Sequence, residues 1–184
     1  MATKSARIRI VTKIDANSVD ADARIDEVSR YTEDVTESRV SGEDASSLPL
    51  LNGVTDNAEG PIMSEVKGTL VKEDGQITIS FATHLTGSFP SFVTYKFDED
   101  NRDTLAVIRK SIGERVYYFS NECKRQTVVC EADGATFEIS IYTKSLKNKL
   151  TYENGGYIEL EYFAEIRGGV IEHCKEYLLC EPLM

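Results

Sequence analysis

The sequence predicts an all-β fold: one up-and-down antiparallel β-barrel of about ten strands, carrying one short helical turn. Three observations lead there. Apolar side chains recur with period two instead of 3.6, turn signals separate the alternating runs, and 184 residues make a single domain, 1–184, large enough to bury a core.

The elements follow in order. In Arg7–Ile14, the residues Ile8, Ile10 and Ile14 are set against Arg7, Arg9 and Lys13. Glu73-Asp74-Gly75 separates Ser64–Lys72 from Gln76–Thr83, where Ile77, Ile79 and Phe81 alternate with Gln76, Thr78 and Ser80. Ser91–Phe97 places Val93, Tyr95 and Phe97 on one parity, and Asp98–Asp103 turns the chain into Thr104–Lys110. Ser111-Ile112-Gly113 leads to Glu114–Ser120 and then Gln126–Glu131, and Ala132-Asp133-Gly134 precedes Ala135–Tyr142. Gly156–Ile166 alternates Ile158, Leu160 and Tyr162 with Glu159 and Glu161, and Gly168-Gly169 joins it to Val170–Cys180. Each junction offers Gly, Asp or Asn where a tight turn needs positive φ. Strands with one apolar face close most simply into a barrel, which leaves no open sheet edge. Thr143–Leu150 breaks the pattern: Leu146 and Leu150 lie four apart, the spacing of a helical turn packed over one end.

Net negative charge is concentrated in one segment. Residues 15–60 hold twelve acids against Arg24, Arg30 and Arg39, so they carry −9 of the chain's −10. This stretch lacks Phe, Trp and Cys, and such a composition reads as a flexible insertion between the first and second strands, with a short helix over Ala21–Arg30. It is either a solvated loop or a docking segment for a basic protein partner. The acidic balance excludes a nucleic-acid binder, and no apolar run reaches the ~18 residues of a helical membrane span. Met1–Ile10 lacks an apolar signal core, so a cytoplasmic location is expected, with Cys123, Cys130, Cys174 and Cys180 as free thiols. Their spacings are not those of zinc knuckles, so no metal site is read.

Several pieces together resemble the YwiB family, small bacterial proteins of unknown function with a calycin-like β-barrel. They are Arg109-Lys110-Ser111-Ile112-Gly113 ending a strand, Gly134 before a strand, Thr143-Lys144-Ser145-Leu146 with Leu150, and Gly155-Gly156-x-Ile158-x-Leu160-x-Tyr162. The resemblance runs from about Ile62 to Glu181 and takes in the first strand. It implies a calycin/lipocalin-like barrel and no known reaction. Phe81-Ala82-Thr83-His84 and Val128–Gly134 depart from the family's usual tyrosine-bearing stretches, as does the acidic insertion.

No nucleophile elbow, zinc-protease helix or phosphate-binding loop occurs, so no catalytic residue and no cofactor is assigned. His84 lies on the polar parity of its strand, and His173 lies between two mixed faces that leave its side open. The informative residues are polar ones on apolar parities. Tyr95 shares its face with Val93 and Phe97, and Tyr162 shares its face with Ile158 and Leu160. Arg109 follows Leu105 and Val107, although the parity of Thr104, Ala106, Ile108 and Lys110 competes. An inward arginine needs a negative partner: a protein carboxylate, solvent at the rim, or the anionic head of a ligand. Arg109, Tyr95 and Tyr162 are therefore the candidate ligand-binding residues. The leading expectation is a non-enzymatic barrel for a small amphipathic or anionic ligand. A protein-interaction module is second, and an enzyme of unrecognised type is third.

Overall fold

The computed structural model describes residues 1–16, 37–41, 62–83, 91–110, 114–132, 135–166 and 170–183. Every regular element among them is a strand: β1 (Ala2–Ala16), β2 (Glu37–Ser41), β3 (Ile62–Glu73), β4 (Gln76–Thr83), β5 (Ser91–Asp98), β6 (Thr104–Lys110), β7 (Glu114–Ser120), β8 (Arg125–Ala132), β9 (Ala135–Asn148), β10 (Gly156–Ile166) and β11 (Val170–Pro182). They form one sheet in the order β2-β8-β9-β10-β11-β1-β3-β4-β5-β6-β7. From β8 round to β7 each neighbour is antiparallel, with β1 joining β11 to β3. The result is an up-and-down meander of ten strands curled into a nearly closed barrel.

Alternation places the core. Ile77, Ile79 and Phe81 of β4, Val93, Tyr95 and Phe97 of β5, and Leu105 and Val107 of β6 all point into the barrel and are buried. Register agrees across these strands: Ile79 pairs with Tyr95, and Tyr95 pairs with Val107, so three inward side chains meet at one level. The β3–β4 hairpin turns through Asp74 and Gly75 at φ 48° and 80°, the left-handed pair that a two-residue hairpin of this twist requires.

The barrel closes between β7 and β8 without a ladder. Here the side-chain amide of the buried Gln126 replaces a peptide group. Its Oε1 accepts from the Tyr118 N–H at 2.5 Å, and its Nε2 donates to the Val116 carbonyl at 3.3 Å. Asn121 does the same for β9, accepting from the Leu146 N–H at 3.0 Å and donating to the Leu146 carbonyl at 2.9 Å. Two amides thus hold the seam that backbone pairing leaves open.

One expectation needs correction. The helical turn over Thr143–Leu150 is absent, because Thr143 to Asn148 continue β9 as strand. Register with β10 slips between Glu161 and Tyr162, which pair with Ser145 and Thr143 and leave Lys144 as an extra residue. That bulge switches the inward parity from Ile139, Ile141 and Thr143 to Leu146, Asn148 and Leu150. The four-residue spacing of the two leucines is therefore two steps of strand alternation. The acidic segment, in turn, contributes a strand of its own, since Glu37–Ser41 pairs parallel with Arg125–Val129. The expected helix over Ala21–Arg30, His84, and the turns at 111–113, 133–134 and 167–169 lie outside the described residues.

Candidate functional site

The lumen changes character along the barrel axis. At one end, where β4, β6 and β10 finish and β5, β7 and β11 begin, the buried inward residues include Thr83, Ser91, Arg115 and Glu172. At the other end they are Ile77, Phe97, Leu105, Phe119, Leu150 and Ile158. A barrel wall made of alternating residues fixes these side chains on rigid backbone, so the polar end is a built arrangement.

Its centre is an ion pair that crosses the lumen. Arg109 of β6 and Glu176 of β11 stand on strands five places apart in a ring of ten, which is the opposite wall. Arg109 Nη2 donates to Glu176 Oε2 at 3.0 Å, with the two side chains 12% and 5% exposed. The Tyr95 hydroxyl donates to the other carboxylate oxygen, Glu176 Oε1. Burial alone would lower the Arg109 pKa, but Glu176 and the surrounding tyrosines outweigh it and hold the guanidinium more firmly protonated than usual. Burial, reinforced by the charge of Glu176, pushes the Tyr95 hydroxyl well above its ordinary range. Tyr162 is raised by burial and then by its neighbour Cys174, with which it pairs across β10 and β11. Its ring packs on Phe119 at 5.0 Å.

The structure therefore brings the three sequence-predicted residues together. Arg109 takes the inward parity that its strand left open, and its partner is a protein carboxylate. Sequence reasoning missed Glu172, Glu176 and Arg115. A signal for the first two was present, since they share parity with Cys174, Leu178 and Cys180, and cysteine is among the residue types most often buried. Arg115 sits on the parity of Tyr117 and Phe119 and is 1% exposed.

Hydrogen-bonding capacity remains in the lumen. Arg109 Nε and both oxygens of Glu172 are buried without a hydrogen-bond partner. Burial pushes the Glu172 carboxyl up to about 7. The Cys174 thiol is pushed up as well, by burial and then by Glu172. Cys123, Cys174 and Cys180 are free thiols.

His173 lies on the outer face. Its Nε2 is 2.8 Å from Glu161 Oε1 and its ring stacks on Phe163 at 4.7 Å. Glu161 also meets Lys144 and Lys175, each at 3.3 Å. Partial burial would raise the Glu161 pKa, but these three partners outweigh it and lower it. Among the described residues no cluster of His, Cys, Asp and Glu is gathered to hold a metal ion, and no helix is long and apolar enough to cross a membrane.

A ten-stranded antiparallel barrel with a polar-ended lumen is the class these features define. The chain belongs to the family described as Domain of unknown function (DUF1934), which it matches over residues 52–176. Its fold is similar to the crystal structure of ywiB protein from Bacillus subtilis, at a TM-score of 0.56, with 10% identity over 99% of this chain and 94% of that one. The YwiB-like resemblance read from the sequence thus holds for family and fold. The curated proteins include no match.

Proposed function

We propose that the protein is a non-enzymatic binding barrel of the bacterial cytoplasm that takes a small amphipathic or anionic ligand at the polar end of its lumen. The observation that supports this reading is the set of buried hydrogen-bonding positions left open there, on Arg109 Nε and Glu172. A buried polar group without a partner costs a folded protein about 1–3 kcal/mol, and a charged one costs more, so a guest that fills these positions is favoured. Arg109 offers Nε to an anionic head while Nη2 stays on Glu176, and Tyr95 and Tyr162 border the same space. The Cys174 thiol and both tyrosine hydroxyls are held protonated, which leaves no activated nucleophile beside the pair.

Titration of medium-chain fatty acids and small phosphorylated compounds against the wild type tests this reading. Arg109→Met alone strands a buried Glu176, so the comparison protein is Arg109→Met combined with Glu176→Gln, which leaves Tyr95 an acceptor. Binding should weaken roughly ten- to a hundred-fold, the loss of one charge-assisted hydrogen bond. No binding by the wild type, or equal binding by both proteins, overturns the proposal.

A further inference from the structure

We infer that Glu172 is a second anchor of this lumen site, and that its occupant is an amphipathic molecule whose head carries an N–H donor of the ammonium or amidinium class. The inference rests on the reading that the lumen takes a ligand. Glu172 is 0% exposed and shares the inward parity of Cys174 and Glu176, so its carboxyl is carried by the lumen wall. Neither oxygen has a hydrogen-bond partner among the described residues.

Its neighbours explain why. Across the ladder, β10 presents Ala164, a buried methyl that offers no donor. Two residues along β11, roughly 6.6 Å on, stands Cys174, whose thiol is a weak donor. Two further on is Glu176, which already takes the Arg109 guanidinium and the Tyr95 hydroxyl. Arg115, on the opposite part of the wall, has contacts of its own.

Charge points the same way. Arg109 and Glu176 cancel each other and Arg115 has contacts of its own, so ionised Glu172 is a buried charge there that no hydrogen bond among the described residues answers. A carboxylate with two empty oxygens accepts two N–H donors, and removed from bulk water it favours a cationic donor over a neutral one. Glu172 stands four residues nearer the start of β11 than Glu176, so a guest entering at the polar end meets Glu172 with its head. Glutamine or leucine at this position would cost the fold less than a fully buried, unpartnered carboxyl. An ordinary structural role therefore gives no reason for a glutamate here, and a ligand does.

The test uses three probes of equal length, decylamine, decanoic acid and 1-decanol, each below its aggregation concentration. They are titrated calorimetrically against the full chain and against Glu172→Gln. The wild type should bind decylamine at least tenfold more tightly than 1-decanol, and Glu172→Gln should abolish that preference. A second readout needs no ligand: Glu172→Leu should raise the thermal midpoint, because the carboxyl has no fold partner to lose. The inference is overturned if amine and alcohol bind alike, if Glu172→Gln keeps the preference, or if Glu172→Leu melts lower. Binding of decanoic acid or 1-decanol without an amine preference sinks Glu172 as an anchor and leaves the binding barrel standing. Binding of none of the three removes both.

Discussion

Glu172 and Glu176 share one face of β11, and their surroundings set them apart. Glu176 is held by Arg109 and Tyr95, so removing its cation leaves a buried carboxylate with one neutral donor. Arg109→Met should lower stability by about 3–5 kcal/mol, and adding Glu176→Gln should recover most of it. Urea unfolding of the three proteins measures both steps. Glu172 acts in the opposite sense. Its folded pKa of about 7 lies above its usual 4.5, so between these values the native carboxyl keeps a proton that the unfolded chain has released. Native stability is therefore full below pH 4.5 and falls as pH rises through about 7. Relative to Glu172→Gln, the wild type should lose roughly 2–3 kcal/mol across that window, read from denaturant midpoints at a series of pH values. A flat difference would mean that Glu172 titrates normally.

Strand by strand, the elements show where a pattern in sequence carries geometry and where it does not. Val93-x-Tyr95-x-Phe97 and Ile77-x-Ile79-x-Phe81 were legible because each parity is uniform and a strand exposes only two faces. β9 misled because one inserted residue, Lys144, exchanges its faces halfway along, and a bulge has no composition of its own. β11 stayed ambiguous because two glutamates sit among its inward residues, and only contacts from β5 and β6 explain the second of them. The glycine pair before β10 was legible. Gly155 and Gly156 adopt φ of 70° and 133°, and a Cβ on Gly156 would stand 2.3 Å from the Lys149 carbonyl oxygen. Gly156→Val should therefore cost about 3 kcal/mol or more, through positive φ and overlap with backbone that cannot yield. The seam has its own test. Gln126→Leu leaves the Tyr118 N–H and the Val116 carbonyl without their side-chain partner and should cost roughly 2 kcal/mol, with the fold retained.

For the molecule as a whole, the ten-strand meander makes the barrel, and among the described residues the acidic segment adds β2 at its edge. β1 and β3 pair directly from Ala2 with Lys72 to Thr12 with Ile62. Replacing residues 17–61 by a short Gly/Ser linker should therefore preserve cooperative unfolding near the original midpoint. The shortened chain loses β2 and bares the edge of β8, so it should self-associate more readily in light scattering. The strand alternation and the Asp74-Gly75 turn could be read because they are local. The lumen network could not, because Arg109 and Glu176 lie 67 residues apart and meet only once the barrel closes.

The gap between β7 and β8 also determines where this barrel breathes. Elsewhere, separating neighbouring strands breaks a continuous ladder, whereas here it breaks a few side-chain bonds. The Tyr118 and Ser120 amides donate to Gln126 Oε1 and Thr143 Oγ1, while those of Tyr117 and Phe119, on the alternate side of the same strand, face β6. In deuterated water the first pair should exchange well before the second, and β1, flanked by β11 and β3 along most of its length, should exchange last. The cylinder is in effect a scroll with one fastened margin, and its slow unrolling starts at that margin.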